Sequence, residues 1–182
     1  EAHYNLGNIL RDLGKLKEAE LSYRKAIEIK PDLAEAHSNL GNILRDLDEL
    51  EDAEISIRKA IKLNPHLAEA HSNLGNIFRD LGKLHEAEVS TRKAIKIKPH
   101  LAEAYSNLGL ILKDLGNFGE AIKQNKQALK LNNQLVSAKI SLITIKGIIC
   151  DWNDEVTHNI WIKSLGLKGK SINPGELFSL ED

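Results

Sequence analysis

Asparagines recur along this chain at a fixed interval. Asn5, Asn39, Asn73 and Asn107 stand 34 residues apart, and Asn8, Asn42 and Asn76 each follow one of the first three by three residues. An asparagine amide offers an acceptor oxygen and two N–H donors. A row of amides can therefore pair with the peptide units of an extended ligand, whatever its side chains. Arg45 and Arg79 repeat in the same register, each beside an acid, Asp46 or Asp80, and Arg11, Asp12, Lys113 and Asp114 extend the series. These cations could hold acidic ligands, or form solvated pairs with the neighbouring carboxylates worth well under ~1 kcal/mol each. The chemistry on offer is recognition. His3, His37 and His71 also recur, but only one per interval. Packed helix axes lie about 8–10 Å apart, whereas a zinc–nitrogen bond needs about 2 Å. These histidines read as packing residues, and His66 and His100 carry no ligand spacing. The lone Cys150 lies near Asp151 and Asp154, which disfavour its thiolate, so it reads as structural. No Ser-His-Asp set and no glycine-rich phosphate loop is present, so neither an enzyme nor a cofactor is expected.

The interval belongs to the whole chain. Residues 35–68 and 69–102 are identical at 25 of 34 aligned positions, and residues 1–34 and 103–136 are further copies in the same register. Self-similarity at this period dictates a stack of units and excludes most compact folds. Each copy reads as two helices. In the second copy Ala36, His37, Leu40, Gly41, Ile43, Leu44 and Leu47 trace one buried helical face. The pattern pauses at Asp48-Glu49, where the other copies have Gly14, Gly82 and Gly116. Glycine there suits a left-handed residue closing a helix, and Asp is a poorer substitute. Leu50, Ala53, Ile57, Ala60, Ile61 and Leu63 trace the second helix, which stops before Pro65. Proline lacks an amide hydrogen and disfavours helix in the residue ahead of it. Gly41, Ala53 and Ala60 are small where helices should approach closely. One such pair cannot bury its own apolar faces, but a stack of pairs can.

These residues resemble the tetratricopeptide repeat. The order His37-x-x-Leu40-Gly41-x-x-Leu44, then Ala53-x-x-x-Ile57, then Pro65 is similar to that family's pattern, with His in place of the usual Trp. The resemblance covers residues 1–136 and implies an all-α fold: a tetratricopeptide-repeat right-handed superhelical solenoid of antiparallel helix pairs. Departures are few. Asp48 replaces Gly, Asn133 replaces Pro, and Thr91 and Asn125 stand at the bulky position held by Tyr23 and Ile57.

On a wheel of about 100° per residue, Glu35, Asn39, Asn42 and Asp46 fall in one arc opposite the apolar face. In tetratricopeptide stacks that arc lines the concave surface. The resemblance therefore implies a peptide-binding row there, made of Asn5, Asn39, Asn73, Asn107, Asn8, Asn42, Asn76, Asp46, Asp80, Arg45 and Arg79. Short Ser38, Ser72 and Ser106 should leave room for a ligand backbone, and alanine at the row positions should barely disturb the fold. Recent duplication, with identical solvent-facing residues persisting unused, is the other reading of the row.

Beyond the fourth copy, Ser137 to Ile149 reads as a fifth first-helix, with Leu142 continuing the Leu40, Leu74, Leu108 series. Its apolar Ile140, Leu142, Ile143, Ile145, Ile148 and Ile149 suit a helix covering the end of a stack. Residues 137–165 are thus expected to be a degenerate fifth repeat serving as a cap, with Trp152 in place of Leu16 and Asn153 to Leu165 as partner helix. Glu155 replaces the alanine of the four copies, so that pairing must differ. Residues 166–182 are rich in breakers and read as a linker. The stretch Ile149-Cys150-Asp151-Trp152-Asn153-Asp154 resembles the junction that ends the repeats in SPINDLY-like O-linked N-acetylglucosamine transferases. Asn173-Pro174 and the residues after it resemble the linker entering their catalytic domain. That likeness implies an acceptor-recruiting arm whose nucleotide-sugar site lies beyond Asp182, with no catalytic residue in this chain.

Composition narrows the partners. The 182 residues carry 25 basic and 26 acidic side chains, without the basic excess of a nucleic-acid binder, and aromatics make up 4 %, too few for base-stacking platforms. No apolar run approaches the ~20 residues that span a bilayer. Protein or peptide ligands are expected, with no nucleic acid and no membrane, and self-association is left open. A single cysteine fits a reducing, cytoplasmic compartment. The chain begins inside a repeat and lacks Met, so it reads as an excerpt of a longer protein. The alternative to the transferase arm is a stand-alone adaptor, for example one clamping acidic C-termini. Such a clamp wants Lys where Tyr4, Ser38, Ser72 and Ser106 stand.

Overall fold

The computed structural model describes residues 1–149, and everything in it follows the 34-residue period. Nine helices and no strand are found among the described residues: α1 (Ala2–Asp12), α2 (Leu16–Ile29), α3 (Ala34–Asp46), α4 (Leu50–Leu63), α5 (Ala68–Asp80), α6 (Leu84–Ile97), α7 (Ala102–Asp114), α8 (Phe118–Leu131) and α9 (Val136–Ile148). No helix among them is long and apolar enough to cross a membrane. The readings of Cys150, Trp152, the partner helix 153–165, the linker 166–182 and the 149–154 junction motif concern positions outside the described residues, apart from Ile149.

Each helix pair is closed by the same tight turn. Gly14, Gly82 and Gly116 take φ of 72°, 73° and 76°, and Asp48 takes 65° in their place. The left-handed residue lets its own amide reach Arg45 O at 2.9 Å and the next amide, that of Glu49, reach Leu44 O at 2.8 Å. Two otherwise orphaned helix carbonyls are satisfied by this pattern. The turns between pairs keep one geometry even where proline is missing. Leu67 N bonds to Asn64 O and Leu135 N to Asn132 O, both at 3.2 Å. At the Asn133 turn the Asn132 side chain accepts from Gln134 N at 3.0 Å, as Asn64 does from His66 N at 3.1 Å. Proline is not required there.

Packing runs along the chain. The first helix of each pair touches the second helix before and after it, and α3, α5, α7 and α9 also touch in succession. The second helices make no comparable contact with one another. First helices therefore form the tighter, inner wall and second helices the outer one. Ala19, Ala53, Ala87 and Ala121 are fully buried where helices cross, beside Tyr23, Ile57, Thr91 and Asn125, which lie against Gly7, Gly41, Gly75 and Gly109. The core divides in the region where this series turns polar. One part runs from Ala19 to Ile111, and a smaller one joins Leu108, Leu112, Ala121 and Ile145.

The ninth helix corrects one expectation. Ile145 is buried against the fourth pair, but Ile140, Ile148 and Ile149 are 58 %, 54 % and 40 % exposed. Ala138, Ser141, Ile145 and Lys146 form the buried side instead. Ile143 replaces the glycine on which each regular pair closes, and Lys146 replaces Leu112. Ala138, Ile145 and Lys146 nevertheless occupy the seat that Ala104, Ile111 and Leu112 take in α7, and the added isoleucines Ile140 and Ile148 lie off it.

Candidate peptide-binding groove

The inner wall brings most of the row together. A groove of about 400 Å³ is lined by Ser38, Asn39, Asn42, Glu69, Ser72, Asn73, Glu103 and Asn107. A neighbouring one is lined by Arg45, Asp46, Asn76, Arg79, Asp80 and Asn107. Asn107 belongs to both, so the two form one track across α3, α5 and α7. Asn5 lies outside this track, exposed on α1. Asn8 is held at the seam between the first and second pairs, accepting from Tyr23 Oη at 2.8 Å and from Asn39 Nδ2 at 3.0 Å.

The amides do not all point into solvent, as the wheel implied. Asn107 Nδ2 donates to Ser72 Oγ at 3.0 Å, Asn73 Nδ2 to Ser38 Oγ at 3.3 Å, and Asn39 Nδ2 to Tyr4 Oη at 3.3 Å as well as to Asn8. Ser38, Ser72 and Ser106 are 4 %, 4 % and 1 % exposed, so they fasten the seam between repeats and leave no space for a ligand backbone. The row is thus partly structural, and replacing it will be felt by the fold. Each inter-repeat bond removed should cost about 0.5–1.5 kcal/mol. With Nδ2 engaged, the Oδ1 atoms of Asn39, Asn73 and Asn107 remain as acceptors along the track. Asn42 and Asn76 differ: their Oδ1 atoms are buried with no hydrogen-bond partner. An unpaired buried polar atom is costly, and as placed these two oxygens are closed to a ligand in the groove.

The charged edge is a staggered chain of ion pairs. Arg45 meets its neighbour Asp46 at 2.7 Å and Asp80 of the next repeat at 3.8 Å. Arg79 meets Asp80 at 3.3 Å and Asp114 at 3.5 Å. These cations are committed to carboxylates, so this edge offers little free charge to an acidic ligand. Glu69 and Glu103, which the wheel places on the arc at the helix starts, join the groove although the row omitted them. Burial alone would push the Glu69 carboxyl up, but the Lys98 ammonium at 2.6 Å and a backbone amide hold it below its ordinary value.

The histidines anchor turns. His37 Nε2 and His71 Nε2 each lie 3.0 Å from the carbonyl of the proline six residues earlier, Pro31 or Pro65. Only the Nε2–H tautomer can donate there. Burial pushes His71 below 6.5 and nearby Lys93 adds to this, while the bond to Pro65 pulls the other way. A depressed folded value means that the neutral form is the one the fold accepts. The stabilisation is complete above about 6.5, the unfolded value, and is lost as the pH falls through the folded value. Melting followed from pH 8 to pH 5 should show a drop below about pH 6.5 that is smaller in His71→Gln. Identical profiles would remove His71 as the cause.

Taken together, the track holds amides, hydroxyls, ion-paired charges and the carboxylate of Glu103. Among the described residues it places no nucleophile beside a base, and its chemistry is hydrogen bonding. A tetratricopeptide repeat model matches residues 34–67 and 102–134, and a second TPR repeat model matches residues 7–48 and 75–116. The chain belongs to the tetratricopeptide repeat family. No curated protein sequence matches it. Solved tetratricopeptide structures share its fold. A thermophilic TPR protein of Thermus thermophilus superposes with a TM-score of 0.78 at 20 % identity, over 92 % of this chain and 90 % of that one. MamA gives 0.64 at 25 % identity, over 78 % and 82 %. YrrB, described as a TPR protein with an unusual peptide-binding site, gives 0.61 at 20 % identity, over 91 % and 84 %. In this tetratricopeptide array the 34-residue register supplies the walls of the groove, and the contacts between successive repeats orient its amides.

Proposed function

We propose that this tetratricopeptide array is a protein-interaction scaffold that holds an extended peptide segment on its inner wall, contacting mainly the ligand backbone. The observation that carries this is the gathering of Asn39, Asn42, Asn73, Asn76 and Asn107 along one groove, with the Nδ2 groups of Asn39, Asn73 and Asn107 tied into the seam and their Oδ1 atoms left as acceptors. A peptide backbone supplies N–H donors to such acceptors. The name of the YrrB structure shows that one protein of this architecture has a peptide-binding site.

The test begins with peptides selected from a random display on the whole chain. Asn39→Ala, Asn73→Ala and Asn107→Ala together should weaken a selected uncharged peptide roughly ten- to a thousandfold, at about 0.5–1.5 kcal/mol per contact. Ser38→Ala with Ser72→Ala breaks the same seam while keeping the amides, and should retain binding. That control separates a loosened solenoid from a lost contact. Unchanged affinity in the asparagine variant, with loss in a Lys25→Ala, Lys59→Ala, Lys93→Ala variant, would move the site to the outer wall.

The finer reading makes the array the acceptor-recruiting arm of a SPINDLY-like O-linked N-acetylglucosamine transferase. Its support is the Cys150-Asp151-Trp152 sequence directly after the repeats. A stand-alone adaptor is the other reading, and it needs no change in the groove. The coding sequence after Asp182 in the parent gene separates them: a nucleotide-sugar-dependent glycosyltransferase domain there supports the arm, and its absence overturns it.

A further inference from the structure

The outer wall carries a second pattern, independent of the groove. Within 55–64, 89–98 and 123–132, the later halves of α4, α6 and α8 with the residue that follows each helix, there are ten Lys and Arg and no Asp or Glu. Four of the ten are neutralised from outside these stretches. Arg58 pairs with Glu54 and Arg92 with Glu88, one turn back, while Lys98 meets Glu69 and Lys123 lies 3.8 Å from Glu120. The other six, Lys59, Lys62, Lys93, Lys96, Lys126 and Lys130, are exposed and have no described carboxylate within 4.0 Å. Lys62, Lys96 and Lys130 are equivalent, as are Lys59 and Lys93, while Lys126 stands at the place of Arg58 and Arg92, so two unpaired lysines lie on each of three helices.

A row of aliphatic side chains runs beside that stripe. Ile55 is 66 % exposed and Val89 69 %, and each precedes its lysines by four and seven residues on the same helix face. Leu21, 62 % exposed, extends the row onto α2, while on α8 the equivalent position is Lys123, so row and stripe run together on α4 and α6. The second helices leave grooves between them. One of about 560 Å³ lies between α2 and α4, walled by Ile27, Leu40, Leu44 and Ile55, with Arg24 and Lys59 balanced there by Glu28 and Asp52, so it offers apolar surface and no net charge. Lysines near helix C-termini do stabilise the helix dipole, but that effect fades within the last turn. It explains Lys62 and Lys96. It does not explain Lys59 and Lys93 a turn earlier, or why aliphatics stay exposed in register with them.

We propose that the outer wall of α4, α6 and α8 is a docking surface for an acidic protein segment in which carboxylates alternate with aliphatic side chains. The carboxylates would meet the lysine stripe and the aliphatics would meet Ile55, Val89 and the groove beside them. Charge complementarity and the interleaved apolar row select this partner. A nucleic acid would want stacking aromatics, and none lies in the stripe. A bilayer would want a continuous apolar face rather than single aliphatics on α2, α4 and α6.

The probe is a synthetic peptide of glutamates interrupted by leucines, measured against the whole chain at low and moderate salt. Reversal of Lys59, Lys62, Lys93 and Lys96 to Glu should weaken it about a hundredfold and flatten its salt dependence. Ile55→Ser with Val89→Ser should weaken it severalfold without touching the salt slope. The Asn39, Asn73, Asn107 triple alanine variant should bind it normally. Because charge reversal could disturb folding, the same four lysines changed to Gln, with helicity checked, should give an intermediate loss. Equal binding by the reversed chain, or equal binding of a glutamine-for-glutamate peptide, would overturn the proposal. Binding confined to a DNA duplex or to phosphatidylserine vesicles would overturn it too, by naming a different partner.

Discussion

Replacing Ile57 with alanine is expected to lower stability by about 2–5 kcal/mol, and Gly41→Ala, harmful alone, should then be tolerated. Ile57 is fully buried and seated on the bare Cα of Gly41. A Cβ built on Gly41 would stand 2.5 Å from Ile57 Cγ1 and 2.7 Å from its Cδ1, well inside van der Waals contact. Overpacking of this kind costs about 1–3 kcal/mol. Against it stands up to ~1 kcal/mol gained by alanine over glycine in a helix. With Ile57 cut back to alanine the two nearest atoms are gone, and the next, Ala53 O at 3.1 Å, crowds the new methyl group far less. The gain in helix propensity then survives, and the methyl fills part of the cavity. A double-mutant cycle read from denaturant midpoints should therefore show coupling of at least about 1 kcal/mol. Additive effects would mean that the two helices do not close on this contact.

Truncation after Val136 is expected to have an effect of similar size. Ile145, on α9, is fully buried against Leu108, Leu112 and Ala121, which are themselves at most 2 % exposed. Removing α9 uncovers both leucines, at roughly 1.5–3 kcal/mol each. It also removes Ser141, which accepts from the buried Asn125 Nδ2 at 2.9 Å. The truncated chain should lose at least about 3 kcal/mol and associate through the exposed end, since a stack without a polar terminal face is poorly soluble. Ile145→Ala in the full chain removes the knob alone and should reproduce a large part of the loss, about 2–5 kcal/mol. A truncated chain that stays monomeric and melts with the parent would show that α9 contributes nothing to the stack.

Most of the scaffold was legible because its determinants are local. The left-handed turn at Asp48 needs only a residue that tolerates positive φ, and the glycines aligned with it announce that need. The buried faces of α3 and α4 need only the three- and four-residue spacing of Leu40, Ile43, Leu44, Ala53, Ile57 and Ala60. One local signal misled. Ile140 and Ile148 look like core but face outward, because they stand at the places of Ser106 and Asp114, while α9 rests on Ala138, Ile145 and Lys146 as α7 rests on Ala104, Ile111 and Leu112.

The character of the groove was decided elsewhere. A 34-residue period tells which residues are equivalent, but not which of them meet. Asn73 meets Ser38 and Asn107 meets Ser72 across an offset of 35, set by how one pair of helices is rotated and shifted on the last. Arg45 and Arg79 reach the Asp of the following repeat for the same reason. The sequence by itself determined the helices, their turns and the row of amides. Only the stacking geometry decided which amide atoms are tied into the seam and which are left for a ligand, because a hydrogen bond depends on distance and angle between repeats that no residue pattern within one repeat contains.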